Sequence, residues 1–334
     1  MTFEEERQYI GHLNQIFGVK TYRLQGGRQD GVEAVDISTG AGLEFTVLAG
    51  RCMDLFQLKL DGKNLNYFTP SGVVAPAYYD GAGLGWLRSN PAGFFNTCGL
   101  SSIGDPCEDG GESLGQHGRV DNLPADRFSV DLDLEDGVPC VKLRGVMTEA
   151  ALFRSCLTLT REITCRYGSN TIDITDTVEN IGPRTAPHMM LYHFNMGYPL
   201  LSESAVLQIP TREIIPLTED AAPIVSKWNI IEPPSPNTEQ CCFYHHLDTD
   251  AEGTAAVGLD NPGLHIGVRI RFDTRVLPYF VQWRMLGTRE YVMGLEPANA
   301  PLLGRDKARA EGALPFLEPG EKVVYRLQVE AIRP

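Results

Sequence analysis

The sequence lacks three features that would place it quickly in a functional class. No apolar run approaches the roughly 18 to 20 residues of a membrane-spanning helix. The first residues, MTFEEERQYIGHLNQIF, are acidic where a signal peptide is basic and apolar. Basic residues are scarce, with 29 Lys and Arg against 43 Asp and Glu. The first two observations lead us to expect a soluble cytoplasmic protein that does not bind membranes. Because binding to a phosphate backbone requires a clustered basic face, we also expect no binding to nucleic acid.

Motifs for metals and cofactors are missing as well. None of the eight cysteines forms a C-x-x-C pair, which argues against zinc-finger and thioredoxin-type sites. CCFYHH (241–246) concentrates soft ligands, but neighbours in a strand point to opposite faces and cannot converge on one ion. GAGLG (81–85) lacks the spacing of a dinucleotide site, and GESLG (111–115) lacks the strand and helix that flank a nucleophile elbow. We expect no metal and no cofactor.

Helical periodicity is confined to the first residues. Residues 2–17 are predicted to form one helix, which begins with a capping box between Thr2 and Glu5. From residue 18 onward the period is two, most clearly in SCLTLTREITCRY (155–167) and TIDITDTVEN (171–180), a predicted hairpin. Similar segments are 32–38, 42–48, 53–60, 205–210, 265–272, 279–286 and 322–332. Because strands and helices do not alternate, we predict an all-β fold, a large antiparallel sandwich or barrel.

Residues 71–126 depart from this pattern. The region is rich in glycine, proline and asparagine and shows no sustained periodicity. Long irregular loops are uncommon in compact domains and often carry function. A disordered surface tract is the alternative, but Trp86, Phe94 and Phe95 would be poorly solvated there. We therefore expect an ordered loop region that forms part of a site.

Three protonatable residues stand where strand patterns meet turn residues. They are His117 in QHGRVDN (116–122), His193 in LYHFNMGYPLL (191–201) and Glu296 in MGLEPANAP (293–301). A carboxylate at the end of an apolar strand is costly to bury unless it is hydrogen-bonded or catalytic. For each residue alone, a satisfied structural polar group is the simpler interpretation.

Five segments, taken in order, resemble a known family. They are AGRCMDL (49–55), WLRSNPAGFFNTCGL (86–100), QHGRVDNLPA (116–125), LYHFNMGYPLL (191–201) and GLEPAN (294–299). Together they resemble the aldose 1-epimerase superfamily and, within it, the galactose-mutarotase-like branch known as DUF4432. The resemblance extends over nearly the whole chain. It implies one galactose-mutarotase-like domain over 1–334, a β-supersandwich and a cleft lined by two histidines and one glutamate. The periodicity adds a short N-terminal helix at 1–18.

The resemblance also implies roles for these three residues. Glu296 would be the general base that takes the proton from the anomeric hydroxyl of a sugar, and His193 the general acid that protonates the ring oxygen. His117 would orient the sugar or share the proton transfer. The opened sugar then rotates about the bond next to its carbonyl and closes on the other face. This reaction removes one proton and delivers another at nearly matched energies. A glutamate and a histidine can do both, so it requires no metal or cofactor.

A further group is assigned to sugar contacts: Arg51, Asp54, Arg88, Arg119, Asn195 and Trp283. Arg88 and Arg119 would donate to hydroxyl groups or to an anionic substituent. Arg51 and Asp54 would do likewise, or they form a structural ion pair. Trp283 would be an apolar floor under the sugar ring, or a core residue.

Two departures from the classical pattern bear on the substrate. Classical members carry an HGG-like element, whereas Arg119 follows Gly118 here, and this cation favours an acidic or otherwise modified sugar. The cleft aspartate of classical members has no clear match, and Glu239 and His245 are its nearest stand-ins.

The sequence therefore predicts a cofactor-free sugar 1-epimerase, or mutarotase, that acts on an aldose or on a modified or acidic sugar. We expect a monomer or a homodimer. Two alternatives stay open because a fold does not determine function. One is a non-catalytic carbohydrate-binding module, and the other is a lyase, hydrolase or different isomerase of sugars on the same scaffold.

Overall fold

The computed structural model describes residues 2–334, and antiparallel strands form most of its regular structure. The strands, numbered in chain order, are β1 Gly18–Arg23, β2 Glu33–Ser38, β3 Leu43–Leu48, β4 Asp54–Leu60, β5 Lys63–Asn64, β6 Tyr67–Phe68, β7 Ala92–Gly93, β8 Phe95–Leu100, β9 Cys107–Asp109, β10 Glu112–Leu114, β11 Asp126–Glu135, β12 Val138–Ala150, β13 Cys156–Arg166, β14 Thr171–Asn180, β15 Ala186–Pro187, β16 Met189–Gly197, β17 Val206–Gln208, β18 Thr211–Pro216, β19 Cys241–Leu247, β20 Thr254–Asn261, β21 Ile266–Asp273, β22 Tyr279–Gly287, β23 Glu290–Ala298, β24 Phe316–Leu317 and β25 Lys322–Ile332. Residues 2–334 also contain two α-helices, α1 Phe3–Glu6 and α2 Arg305–Ala310. Neither is long and apolar enough to cross a bilayer.

Three sheets organise the fold, and all their strand pairs are antiparallel. The first sheet has the order β1-β2-β3-β4-β5, the second β11-β12-β13-β14-β25-β21-β20-β17 and the third β18-β19-β22-β23-β16-β8. One large core cluster takes residues from each of them, including Phe45, Ile163 and Phe194. The all-β prediction is confirmed, in the form of separate sheets that pack on a shared core.

The hairpin of β13 and β14 shows how a period of two creates a buried face. Leu157, Leu159 and Ile163 are buried, while the threonines between them are partly exposed. The two strands pair from Leu157 opposite Asn180 to Thr164 opposite Asp173. The predicted hairpin is therefore confirmed, and so is the predicted apolar face of its first strand.

The N-terminal helix is shorter than its periodicity predicted. The capping box of Thr2 and Glu5 is present, but α1 ends at Glu6 and only 3₁₀ turns follow. The backbone is extended at Ile10 and His12, and the His12 imidazole then caps a new turn. Isolated helices this short are marginal in water, and Gly11 weakens the continuation. The prediction of one helix over 2–17 was therefore wrong beyond the first turn.

A buried ionic network joins the three sheets. The guanidinium of Arg161, on β13, donates to Asp54 of the first sheet at 2.8 Å and to Asp176 of β14 at 2.6 and 2.9 Å. It also donates to Thr97 of β8 in the third sheet at 2.9 Å. Tyr192 of β16 donates its hydroxyl to Asp176 at 2.8 Å. Because Arg161 and Asp176 are fully buried, each charge depends on its partners for stabilisation.

Removal of the central cation should strongly destabilise the protein. We expect Arg161→Leu to lower the free energy of unfolding by about 3 to 5 kcal/mol, because it leaves buried carboxylates uncompensated. The control is Arg144→Leu, which breaks a half-exposed pair with Glu162 and should cost at most about 1 kcal/mol. Urea unfolding of both variants measures the difference, and equal losses would contradict this view of the network.

Candidate functional site

A large cleft lies on the face of the third sheet that points away from the core. Its volume is about 810 Å³, and its walls come from this sheet, from the loop region 71–126 and from residues near α2. The residues central to its chemistry are Trp86, His117, His193, Asn195, Trp283 and Glu296. A cleft of this size, with apolar walls and a few convergent polar groups, is typical of a small-molecule site.

Strand alternation delivers two of these residues to the cleft. In β16, Tyr192 and Phe194 point into the core, so His193 points to the opposite face. In β23, Leu295 belongs to the core, and Glu296 therefore faces the cleft beside His193. Pairing of Phe194 with Leu295 sets the register that brings the two side chains together.

His193 and Glu296 form the central pair of the cleft. Nε2 of His193 lies 3.2 Å from Oε1 of Glu296, and the two side chains are 8% and 1% exposed. The distance suits proton exchange, but the atoms are not aligned as a hydrogen bond, and Oε1 has no hydrogen-bond partner in the described residues. Loose geometry of this kind is common in acid–base pairs that tighten around a bound ligand.

Glycine at position 294 makes room for this pair. Gly294 is two residues before Glu296 on the same face of β23 and lies opposite Trp283 of β22. A Cβ atom at position 294 would lie closer to Glu296 Oε1 than van der Waals contact allows. It would also lie 2.9 Å from Trp283 Cβ. The glycine therefore holds space for both the carboxylate and the indole.

His117 reaches the cleft from an unusual backbone conformation. Its φ of 59° is in the left-handed region, which non-glycine residues rarely adopt. The peptide is held by bonds from His117 N–H to the Gly104 carbonyl and from Gly99 N–H to the His117 carbonyl, both of 3.0 Å. A Cβ atom on Gly118 would collide with the carbonyls of Gly99 and Ser102. Glycine at position 118 is thus required by close backbone packing.

Aromatic rings surround the two histidines. The ring of Trp86 lies 4.7 Å from that of His117 and 6.4 Å from that of His193, measured between centroids. Trp283 lies 5.3 Å from the His193 ring on another side. Two indoles beside a polar pair suit a ligand that has both apolar faces and hydroxyl edges.

Burial shifts the protonation of all three central residues in the direction of their neutral forms. It lowers the pKa of His117 to about 3, with a further contribution from His193, and lowers the pKa of His193 to about 4. It raises the pKa of Glu296 well above the ordinary value. Perturbed groups that face a cleft are typical of functional sites, because water is largely excluded there.

Several buried polar atoms of the cleft have no partner in the described residues. They are Oε1 of Gln116, Nδ1 of His117, Nδ1 of His193 and Oε1 of Glu296. Buried polar atoms are normally hydrogen-bonded, so this cluster indicates a place for a polar ligand. Acceptors and ring nitrogens on different sides of one cleft match a ligand with several hydroxyl groups.

Comparison with known families assigns the chain to one of them. The family model described as "Domain of unknown function (DUF4432)" matches residues 29–331. The chain belongs to the DUF4432 family. Comparison with curated protein sequences finds no match.

Solved structures similar to this DUF4432 protein carry the names of sugar epimerases. A Klebsiella pneumoniae protein described as a "putative aldose 1-epimerase" is 25% identical, with a TM-score of 0.91 over 96% of this chain and 86% of that chain. A galactose 1-epimerase from Lactobacillus acidophilus is 13% identical, with a TM-score of 0.59 over 94% and 98% of the two chains. A galactose mutarotase-like protein from Clostridium acetobutylicum is 11% identical, with a TM-score of 0.67 over 96% and 100%. The last two establish the fold alone, and it is the galactose-mutarotase-like fold that the sequence implied.

The DUF4432 chain brings only part of the predicted contact set into the cleft. Asn195, Trp283 and Glu239 line it together with the three central residues. Arg88 and Arg119 are exposed and do not belong to the lining, and Arg88 pairs with Asp80 at 2.9 Å. Arg88 ends the 3₁₀ turn Gly85–Arg88 and Arg119 precedes the turn Val120–Asn122, and since both are exposed, neither guanidinium supplies the cation expected beside the sugar.

Three other predicted contacts are buried away from the cleft. Arg51 pairs with Asp121 at 3.2 Å and Asp54 with Arg161 at 2.8 Å, so both are in structural ion pairs, although not with each other. His245 donates or accepts at 3.0 Å with Gln282, on the core face of β19. From the opposite face of β19, Cys242 lines the cleft.

Sequence reasoning missed Trp86 and Gly294 as parts of the site. Trp86 is in an irregular loop, where no periodicity shows which way a side chain points. Gly294 had a readable signal, since residues two apart in a strand share a face and glycine there gives Glu296 space.

A methyl group at position 294 should disrupt the central pair without unfolding the chain. We expect a crystal structure of Gly294→Ala to show the Glu296 carboxylate turned away, with Oε1 farther than 3.2 Å from His193 Nε2. The control is Gly18→Ala in β1, where the new Cβ would meet its nearest neighbour at an ordinary 3.6 Å. An unmoved carboxylate in Gly294→Ala would contradict the space-holding role.

Proposed function

We propose that this DUF4432 protein is a sugar 1-epimerase that interconverts the α and β anomers of a neutral aldose. The observation that carries the proposal is the buried pair of His193 and Glu296, 3.2 Å apart at the floor of a cleft with two indole walls. Mutarotation requires one base and one acid on the same sugar and no redox step. The name of the similar Klebsiella pneumoniae protein, a "putative aldose 1-epimerase", supports the same reaction.

In the proposed reaction, Glu296 accepts the proton of the anomeric hydroxyl while His193 delivers a proton to the ring oxygen. The bond from the anomeric carbon to the ring oxygen breaks, and a carbonyl forms at that carbon. After rotation about the adjacent bond, the same steps run in reverse and close the ring on the other face. Protons and electrons balance, and each residue returns to its starting form.

The protonation of the free site fits a pair that shares one proton. Burial favours a protonated Glu296 with a neutral His193, whereas the forward step begins with the proton on His193. The two arrangements have the same total charge and exchange a proton between adjacent atoms, so the pair titrates as one unit. Burial favours the neutral arrangement, and the forward step begins once the proton has moved from Glu296 to His193.

Charge in the cleft favours a neutral sugar over the acidic sugar suggested by Arg119. The acidic and basic residues that line the cleft, apart from the histidines, are Asp105, Glu239, Glu290, Glu296 and Lys307. Lys307 is already 3.7 Å from Asp105. A carboxylate or phosphate on the sugar would therefore meet mainly acidic side chains, with Lys307, close to Asp105, as the one Lys or Arg among the lining residues.

Loss of either member of the pair should abolish most of the activity. We expect Glu296→Gln and His193→Ala to slow anomer exchange by about 10² to 10⁴, the contribution of a positioned acid or base. Exchange NMR on neutral aldoses, amino sugars and uronic acids measures the rate above background. The control is Glu162→Gln on β13, a half-exposed carboxylate outside the cleft.

Two results would count against the proposal. No exchange above background with any sugar, despite saturable binding, would favour a carbohydrate-binding module. New reducing ends or an unsaturated product would indicate a hydrolase or a lyase instead.

The pH profile of kcat/KM should be bell-shaped, with one proton on the pair in the active form. Below about pH 4, His193 becomes protonated while Glu296 stays protonated, so no base remains. As the pH rises through the elevated pKa of Glu296, the pair loses its only proton and no acid remains. Rates corrected for the uncatalysed reaction give the profile, and the absence of an alkaline limb would contradict it.

A further inference from the structure

We propose that Asp121 is a positioning residue that fixes His117 in the cleft by anchoring the indole of Trp86. Its effect on rate rests on the proposed function, but its effect on geometry does not. Asp121 does not line the cleft, and it reaches the site only through Trp86. The two residues come from separate turns of the loop region 71–126, Gly85–Arg88 and Val120–Asn122.

The Asp121 carboxylate is held by donors on both oxygens. Oδ2 accepts from Trp86 Nε1 at 3.0 Å and from Arg51 Nη2 at 3.2 Å. Oδ1 accepts from Asn122 Nδ2 at 2.6 Å. The residue is 1% exposed, so no water replaces these donors if one is lost. The carboxylate therefore has one orientation, and it fixes the N–H edge of the indole.

Trp86 transmits this constraint to the cleft. Its N–H edge is bonded to Asp121, while its ring lies 4.7 Å from the His117 ring and forms part of the cleft wall. Rotation of the indole would break the bond to Asp121 and open a gap beside His117. One hydrogen bond in the interior thus sets the position of a ring in the cleft.

His117 needs such support because little else orients its ring. Nδ1 has no hydrogen-bond partner in the described residues. The left-handed backbone at this position sets the Cβ direction but not the rotation of the imidazole. Packing against Trp86 and against His193, 5.9 Å away, is what defines the ring plane.

Arg51 makes the anchor rigid by connecting three parts of the loop region. Its Nη1 donates to the carbonyls of Val74 at 2.7 Å and Ser89 at 2.6 Å, and its Nε donates to the carbonyl of Asp121 at 3.1 Å. Trp86 and Asp121 are therefore held to the same guanidinium through backbone and side-chain bonds. This arrangement explains how an irregular loop can present an imidazole in a fixed position.

The test uses Asp121→Asn and Trp86→Phe in the ligand-free protein at pH 7.5, above the pKa of about 6 to which burial raises Asp121. Asparagine keeps the shape but offers one acceptor to three donors, and phenylalanine keeps a ring but removes the indole N–H. NMR of the His117 Cε1–H and the Trp86 Nε1–H reports the geometry. We expect the His117 signal to shift in both variants, and the Trp86 N–H of Asp121→Asn to lose its protection from solvent exchange.

A double-mutant cycle then separates positioning from general stability. We expect Asp121→Asn and Trp86→Phe each to lower kcat by about 10- to 100-fold, with a smaller change in KM. Because Asp121 acts through Trp86, the variant that carries both substitutions should be no slower than the slower of the two single variants. The matched control is Trp283→Phe, because the Trp283 indole donates to Gln240 and not to Asp121. When Trp283→Phe is combined with Asp121→Asn, the fold-losses in kcat of the two single variants should multiply. If Asp121→Asn does not fold, Trp86→Phe alone decides through the His117 signal.

An unchanged His117 signal in Trp86→Phe would overturn the proposal, as would multiplicative losses for Asp121→Asn and Trp86→Phe. If the wild-type protein exchanges no anomers at all, the proposed function fails, and the NMR signals still decide whether Asp121 positions His117.

Discussion

The buried guanidinium of Arg161 is the interaction on which the rest of the structure depends. Its partners come from all three sheets, and every one of them is buried. A buried cation tolerates few alternative geometries, because any displacement leaves a carboxylate without compensation. Thr97 and Tyr192 bind this network from the inner face of the third sheet, and their strand neighbours Asn96 and His193 consequently face outward. The ionic network in the core thus fixes which residues the sheet presents to the cleft.

The cleft combines two kinds of support with different physical origins. His193 and Glu296 come from adjacent regions of a continuous sheet, where ladder hydrogen bonds set the spacing of side chains. His117 comes from an irregular loop, where a chain of side-chain contacts through Trp86 performs that task. Sites on strands are inherently more precise than sites on loops, so the loop requires the buried anchor of Arg51 and Asp121. Burial then shifts all three groups to their neutral forms, which a reversible proton transfer can use.

Much of the fold could be predicted from the sequence, because a period of two is a direct record of strand faces. The strands at 156–166, 171–180 and 322–332 were predicted within a residue or two of their observed bounds. The helix over 2–17 was not, because the backbone becomes extended at Ile10 and His12, on either side of Gly11, and the helical periodicity does not record this break. The central residues were found by resemblance, whereas Arg88 and Arg119 were assigned by charge alone. Charge does not show where a loop directs a side chain, and the same uncertainty concealed Trp86.

The central claim is that His193 and Glu296 act together on the anomeric centre of a sugar. The most direct measurement is a crystal structure of the Glu296→Gln variant with a bound aldose. We predict the anomeric hydroxyl within hydrogen-bond distance of residue 296 and the ring oxygen facing His193, with the sugar ring beside Trp86 or Trp283. A sugar bound with another carbon at this pair, or outside the cleft, would contradict the account.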